Sequence, residues 1–518
     1  MPAPPPPSPP RPQRVLRRPL AQLVGLLGER VVAVDDGLDD VEVTGITHDS
    51  RAVRPGDLYA ALPGSHAHGA QFAPAAASAG AVAALTDPAG AEDCRAAGLA
   101  VLAVDLPRAV LGTAAAWVYG EPARDLLLVG VTGTNGKTTT AYLLEAGLRA
   151  AGRRTGLIGT IETRIGDEVL PSAHTTPEAT DLQSLFAVMR ERGVDAVAME
   201  VSSIALAMGR VDGTVFDVAG FTNFSQDHLD FHADMADYFA AKASLFTSHR
   251  ARRGVVNVDD AHGARLVREA GVPIVTVSPS GDPAADWRAS AVEPRPTGAT
   301  GFHLSGPDGV EIEALVRLPG RFNVDNALLA IAALATAGLD PAAAARGVAE
   351  CTTVPGRMER VRSGQDFLAV VDYAHTPDAV ASLLAALRPA PPARLIAVLG
   401  CGGDRDRSKR SLMGEVAARA ADLLVVTDDN PRSEDPAAVR AAVLAGARGV
   451  PPDVRGEVVE VADRREAIAV AVRAARAGDT VVVAGKGHEQ GQEYADRTLP
   501  FDDRAVLRDL LTGAGAPS

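Results

Sequence analysis

The residues best suited to chemistry stand where an apolar run gives way to glycines. Val129 to Thr140 reads VGVTGTNGKTTT, and TTTAYLLEAGLRAAG continues from it. The spacing predicts a buried strand, a Gly-rich loop and then a helix. Backbone N–H groups in such a loop point inward, and the helix N-terminus adds partial positive charge, so the unit cradles phosphate. Gly133, Thr134, Asn135, Gly136, Lys137, Thr138 and Thr139 form the cradle. Lys137 reaches terminal phosphates, and Thr138 offers a hydroxyl to Mg²⁺. The strict pattern G-x-x-x-x-G-K-[ST] is not met, because Val131 stands five positions before Gly136. Such a loop serves motors, kinases, switches and ligases alike.

A second concentration lies after residue 355. FLAVVDYAH, RLIAVLGCGG, DLLVVTDDN and DTVVVAGKGH are four apolar stretches with polar, Gly-rich or charged ends. In open α/β sheets ligands bind outside the carboxyl ends of the strands, so four such ends predict one binding crevice. Other candidates are solitary. Glu200 ends the strand-like DAVAMEVSS, and His228 sits in QDHLDFH. Lys242 interrupts the apolar YFAAKASLF. Taken alone, these fit a surface carboxylate, a capping residue and a snorkelling lysine equally well.

The elements that must position these groups follow from length and pattern. At about 100–200 residues per domain, 518 residues predict three domains. Residues 1–19 are Pro-rich with scattered Arg and are expected to be a disordered tail. Short strands, turns and Ala-rich helices fill 20–122, with VEVTGITHDSR alternating as a half-buried strand. Strand–helix alternation with a mostly parallel sheet spans 123–354, with an antiparallel excursion near 280–318. A second alternating, Rossmann-like region spans 355–518. The fold class is therefore α/β throughout, with a smaller N-terminal α/β domain.

Composition narrows the function. A formal net charge of −14 argues against a nucleic-acid partner, since phosphate backbones attract basic surfaces. Cys94, Cys351 and Cys401 show no CxxC spacing, which favours a reducing compartment. No apolar run reaches the ~18 residues of a membrane helix. Arg17-Arg18 precede an apolar stretch that Glu29 and Arg30 end without a cleavage site. A cytoplasmic enzyme with no membrane association is expected.

The motifs also occur in a recognisable order. GTNGKTT, HTTPEATDL, MEVSSIAL, FTNFSQDHLDFH, YFAAKASLF, GRFNVDNALLA, VPGRMER, VDYAHTPDA, GCGGDRDRSKR, DDNPR and AGKGHE, with HDSR near the start, resemble the Mur ligase family. The resemblance covers nearly the whole chain after the tail. It implies a uridine-binding N-terminal domain, a central ATPase and a C-terminal amino-acid-binding domain, acting as a monomer. It also implies ATP-dependent addition of diaminopimelate to a UDP-N-acetylmuramoyl dipeptide through an acyl phosphate, in peptidoglycan precursor synthesis.

By the same resemblance, Lys137 contacts phosphates, while Thr138, Glu200, His228 and Lys242 serve Mg²⁺, Lys242 as a CO₂-derived carbamate. Asn323 and Asn326 read the adenine end, and Arg357, Asp372 and His375 close over ATP. The nucleotide-sugar peptide falls to Ser50, Ser65, His66, Ala67, Thr175, Thr176, Ser202 and Arg210. Diaminopimelate falls to Arg405, Asp429, Asn430, Pro431, Arg432, Gly485 and Glu489. Ile204 and Met208 depart from the family's usual His and Gln. The alternatives are a lysine-adding relative, which departs from DNPR, a folylpolyglutamate synthetase, which does not account for HDSR, and a regulatory P-loop ATPase.

Overall fold

The phosphate-loop strand Leu127–Thr132 lies inside an eleven-stranded sheet, between Ala196–Glu200 and Val218–Phe221. Both neighbours run parallel to it. A parallel strand covered on both faces needs a continuous apolar run, and LLVGV supplies one. The computed structural model describes residues 10–64, 66–295, 299–388 and 390–513. The helices Lys137–Ala150 and Phe322–Thr336 share one core with this sheet. The expected antiparallel excursion is the meander Trp287–Pro294, Thr300–Ser305 and Glu311–Val316 at the sheet edge.

In the C-terminal region the four apolar stretches become adjacent parallel strands. Their order is Leu368–Asp372, Thr480–Ala484, Leu395–Leu399 and Leu423–Val426. Their carboxyl ends therefore share one sheet edge. The N-terminal region holds a five-stranded sheet, parallel except where Val31–Val34 meets Ala100–Val104. VEVTGITHDSR does not form one strand. Glu42–Val43 pairs with Arg18–Pro19, and Gly45–Thr47 edges the larger sheet. Between them the Thr44 N–H donates to Gly56, which ends the first pairing.

The expectation of a disordered tail fails for residues 10–19. Arg11 pairs with the buried Asp57 at 2.6 Å. The Pro10 carbonyl accepts from Ser184 at 3.0 Å, and the N–H groups of Gln13 and Arg14 donate to Glu191 at 2.8 and 2.7 Å. Polar contacts to two domains hold a segment whose composition offers no apolar anchor. The strap crosses a joint that is also apolar, since Ala179 and Ala187 of the central helix Ala179–Glu191 belong to the N-terminal core.

The last helix, Asp503–Leu511, is docked by a buried ion pair. Arg464 donates to both Asp503 oxygens at 2.8 and 2.7 Å, and neither side chain is exposed. Removing one partner of a buried pair leaves an uncompensated charge, at a cost of about 3–5 kcal/mol. Asp503→Ala should lower the free energy of amide exchange in Thr480–Ala484 by about that amount. Unchanged exchange protection would show that the pair does not stabilise the domain.

Candidate functional site

The loop after Leu127–Thr132 is braced from the strand beside it. Thr222 donates to the Asn135 carbonyl at 2.7 Å, and the Asn223 side chain accepts from the Asn135 N–H at 3.0 Å. Gly136 has φ +88°, and Asn326 stands where its Cβ would lie, so only glycine fits. The Lys137 ammonium folds over the loop, donating to the carbonyls of Gly133 at 2.9 Å and Thr134 at 2.8 Å. Lys242 comes from the helix Met235–Ala243 and is buried, not at the surface. Its ammonium donates to the same Gly133 carbonyl at 2.7 Å and lies 4.4 Å from the Tyr238 ring centre. Burial lowers the pKa of both lysines, that of Lys242 well below the ordinary range.

Glu200 ends the strand beside the loop. Its carboxylate accepts from the Thr138 hydroxyl at 2.9 Å, and from the Thr160 N–H and hydroxyl at 2.7 and 3.1 Å. His228 has a left-handed φ of +55° and stands 3.5 Å from Asp227. Burial pushes the His228 imidazolium down to about 3, so the ring is neutral near pH 7. Burial alone would raise the Asp227 carboxyl, but pairing with His375 and the charge of Lys409 hold it well below the usual range. Among the described residues, no cluster of three or more His, Cys, Asp or Glu could enclose an ion. The Glu200 carboxylate and the Thr138 hydroxyl are hard oxygen donors that suit Mg²⁺, which binds through few protein ligands together with phosphate oxygens and water, and the neutral His228 imidazole is a softer donor beside them.

The C-terminal region closes over this corner. Arg357 donates to the Thr138 hydroxyl at 3.1 Å and lies 4.2 Å from the Tyr373 ring centre. His375 and Lys409 reach Asp227 at 3.7 and 3.2 Å. Asp372 accepts the N–H groups of Met358 and Ala374 at 2.7 and 2.8 Å, so it organises the backbone that presents Arg357 and His375. Burial raises its carboxyl. Asn323 and Asn326, hydrogen-bonded to each other at 3.0 Å, stand behind the loop.

A cavity of about 760 Å³ joins these groups, lined by Thr134 to Thr139, Glu200, His228, Lys242, Asn323, Asn326, Arg357, Asp372 and His375. Of the nucleotide-sugar residues, Thr175, Thr176, Ser202 and Arg210 line it too. Arg210 pairs with Glu178 at 2.9 Å. Ser50, His66 and Ala67 lie in the N-terminal region and do not line it; Ser65 lies outside the described residues.

Of the amino-acid residues, Arg405, Arg432 and Glu489 line the cavity. Arg432, at φ +52°, pairs with Glu493 at 2.7 Å and donates to Gly403 at 2.9 Å. Asp429, Asn430 and Pro431 are buried behind it. Gly485 has φ +114°, and a Cβ there would meet Asp429 at 2.5 Å.

Sequence reasoning missed Thr160, Tyr373, Lys409 and Lys486. Lys486 carried a signal, a lysine between two glycines at a strand end. Thr160 carried none.

Three α/β regions around a braced phosphate loop, with a second domain's arginine on the loop threonine, define an ATP-dependent enzyme of the ligase kind. Family models match in sequence: "Mur ligase family, catalytic domain" over 42–119, "Mur ligase middle domain" over 131–334, and "Mur ligase, glutamate ligase domain" over 356–487. The chain belongs to the Mur ligase family. It is 62% identical over 493 residues to a Streptomyces avermitilis protein named UDP-N-acetylmuramoyl-L-alanyl-D-glutamate–2,6-diaminopimelate ligase, covering 95% of this chain and 96% of that one. It is 49% identical over 502 residues to a Leifsonia xyli protein named UDP-N-acetylmuramyl-tripeptide synthetase, covering 96% of each. A solved diaminopimelate ligase structure matches with TM-score 0.65 and 32% identity, over 94% of this chain and 98% of that one. A Mycobacterium tuberculosis folylpolyglutamate synthase, at 22% identity and TM-score 0.57 over 73% of this chain and 92% of that one, shares the fold.

Lys137→Ala should remove an ammonium that folds over the loop while leaving the loop's bracing by Thr222 and Asn223 intact. Turnover of ATP should fall by about 10²–10³-fold, the effect of removing a single fixed donor to developing charge, with an unchanged circular dichroism spectrum. Near-normal turnover would take Lys137 out of phosphate binding.

Proposed function

We propose that this enzyme adds diaminopimelate, in its meso form, to UDP-N-acetylmuramoyl-L-alanyl-D-glutamate at the expense of ATP. The observation that carries the reading is the single cavity that joins the phosphate loop to Arg405, Arg432 and Glu489. The names of the relatives at 62% identity support it. In this proposal 20–122 holds the uridine end, 123–354 holds ATP and 355–518 holds the amino acid. The enzyme works as a cytoplasmic monomer.

The chemistry follows from what a carboxylate lacks. It is a poor acylating agent until it carries a leaving group. The D-Glu γ-carboxylate attacks the γ-phosphorus, the bond to ADP breaks, and an acyl phosphate forms. The amine of diaminopimelate then attacks the acyl carbon and gives up a proton to solvent, and phosphate leaves with the bonding pair as the amide forms. Lys137, the loop N–H groups and Arg357 hold the phosphates against their own charge. Thr138, Glu200, His228 and carbamylated Lys242 would hold Mg²⁺, whose charge would offset that of the phosphates.

Carbamylation requires a neutral amine, because the nitrogen lone pair adds to CO₂ and a proton then leaves. Burial moves Lys242 toward that state. Lys242→Ala should be nearly inactive and partly rescued by short carboxylic acids, which can replace the carbamate's negative charge. Full activity in the variant would remove Lys242 from the mechanism. A folded, inactive variant that no acid rescues would leave the carbamate without support.

Amino-acid choice tests the whole proposal. Lysine lacks the distal carboxylate of diaminopimelate, and a guanidinium matches a carboxylate edge to edge. Arg432 already pairs through its Nε with the carboxylate of Glu493, a half-exposed partner that a substrate could displace. Truncating one side of such a contact costs about 2–5 kcal/mol. At about 1.4 kcal/mol per tenfold, the KM for diaminopimelate in Arg432→Ala should rise at least about thirtyfold. The KM for ATP should change little, and the preference over lysine should shrink. An unchanged diaminopimelate KM would refute this role, and wild-type use of lysine in preference would favour the lysine-adding alternative.

A further inference from the structure

Lys486 takes no part in the chemistry described above, yet it is wholly buried at the end of Thr480–Ala484. Burying an ammonium is costly unless its donors are met. Here they are met by two residues of the pocket. The ammonium donates to Asn430 Oδ1 at 2.7 Å and to Glu489 Oε2 at 2.9 Å, and it lies 3.9 Å from Asp429.

The Glu493 N–H also donates to Asn430 Oδ1, at 3.0 Å. Two donors on one oxygen decide which way the carboxamide faces, because a flipped amide would set its NH₂ against an ammonium and an N–H. Asn430 Nδ2 is thereby aimed at Glu489 Oε2, 2.8 Å away. Glu489 Oε2 accepts both hydrogen bonds. Among the described residues Oε1 accepts none, and Glu489 lines the cavity together with Arg405 and Arg432.

We propose that Lys486 is the positioning residue of this pocket, orienting Asn430 and Glu489 so that Glu489 Oε1 receives an ammonium of the incoming amino acid while the arginines face its carboxylate. The inference rests on reading this pocket as the amino-acid site. A counter-ion serving stability alone would have no need to set the direction of the Asn430 carboxamide.

The test is Lys486→Met, which removes the charge at similar length. Steady-state ligation gives the KM for each substrate, and borohydride trapping without amino acid measures acyl-phosphate formation. The KM for diaminopimelate should rise on the order of tenfold or more, as expected for coupled neighbours in one polar network. The KM values for ATP and the nucleotide-sugar dipeptide should stay within about threefold, with acyl phosphate trapped at the wild-type yield. An unchanged diaminopimelate KM, or an equal rise in all three, would overturn the proposal.

Should Lys486→Met not fold, Glu489→Gln is compared with the double variant Lys486→Met/Glu489→Gln, whose pocket is again charge-balanced. Because Lys486 acts on Glu489, directly and through the Asn430 carboxamide aimed at it, the two should share one diaminopimelate KM to within about twofold. A further tenfold rise in the double variant would show an independent role and overturn the proposal. Wild-type enzyme that forms acyl phosphate but does not use diaminopimelate would defeat the reading of the pocket itself, an outcome separate from any result on Lys486.

Discussion

Two ammonium groups converge on one carbonyl oxygen. Lys137 and Lys242 both donate to Gly133, the first from the start of the loop's own helix and the second from the helix Met235–Ala243. Two like charges buried on a neutral acceptor repel each other, so the arrangement favours either a neutral amine or a nearby polyanion. That constraint shapes its surroundings. The Thr134 hydroxyl is shared with Tyr238 at 3.1 Å, and Tyr238 in turn lies beneath the Lys242 ammonium. Thr222 and Asn223 hold the loop carbonyl of Asn135, which keeps the Gly133 oxygen turned toward both lysines. The loop's rigidity is what makes the charge density usable.

The same corner explains why more than one domain is needed. A loop can hold phosphates, but it cannot also grip the acceptor of the phosphoryl group and the incoming amine. The central sheet delivers Glu200 and the helix Lys137–Ala150 delivers Thr138, while Arg357, in the turn that leads into the C-terminal sheet, donates to that same threonine. Asp227 is the meeting point, touched by His228 from its own domain and by His375 and Lys409 from the other. Adjacent to it, Gln226 donates to Asp406 and Ser408 at 3.2 and 2.9 Å. The segment carrying His228 is therefore laid directly against the segment carrying Arg405.

What could be read in the sequence was whatever is local. The phosphate loop is contiguous, so its strand, glycines and helix announce one another. The four C-terminal strands show as apolar runs because parallel strands are buried on both faces. The tail was misread because composition registers missing apolar content and cannot register that Glu191 and Asp57 wait elsewhere to receive its N–H groups and Arg11. Lys242 looked like a surface residue by pattern, and only the packing of Met235–Ala243 turns it inward. Thr160 and Tyr373 belong to no spacing rule. They matter because of which side chains the fold brings to them, Glu200 and Arg357.

The two joints between domains differ in kind. On the N-terminal side the strap of residues 10–14 and the shared apolar core fasten the central helix Ala179–Glu191 from two directions. There the helix Pro107–Val118 also comes so close to the Asp212 backbone that Gly112 has no room for a side chain. On the C-terminal side the contacts are mainly ion pairs and single hydrogen bonds from long side chains, with Phe322 as an apolar contact. The exposed pair of Arg405 with Asp230 is individually weak, whereas Lys409 and Asp227 are buried against each other. Mechanically, the polar joint lies at the phosphate-loop corner and the shape-fitted one on the N-terminal side, so the two would yield to different forces.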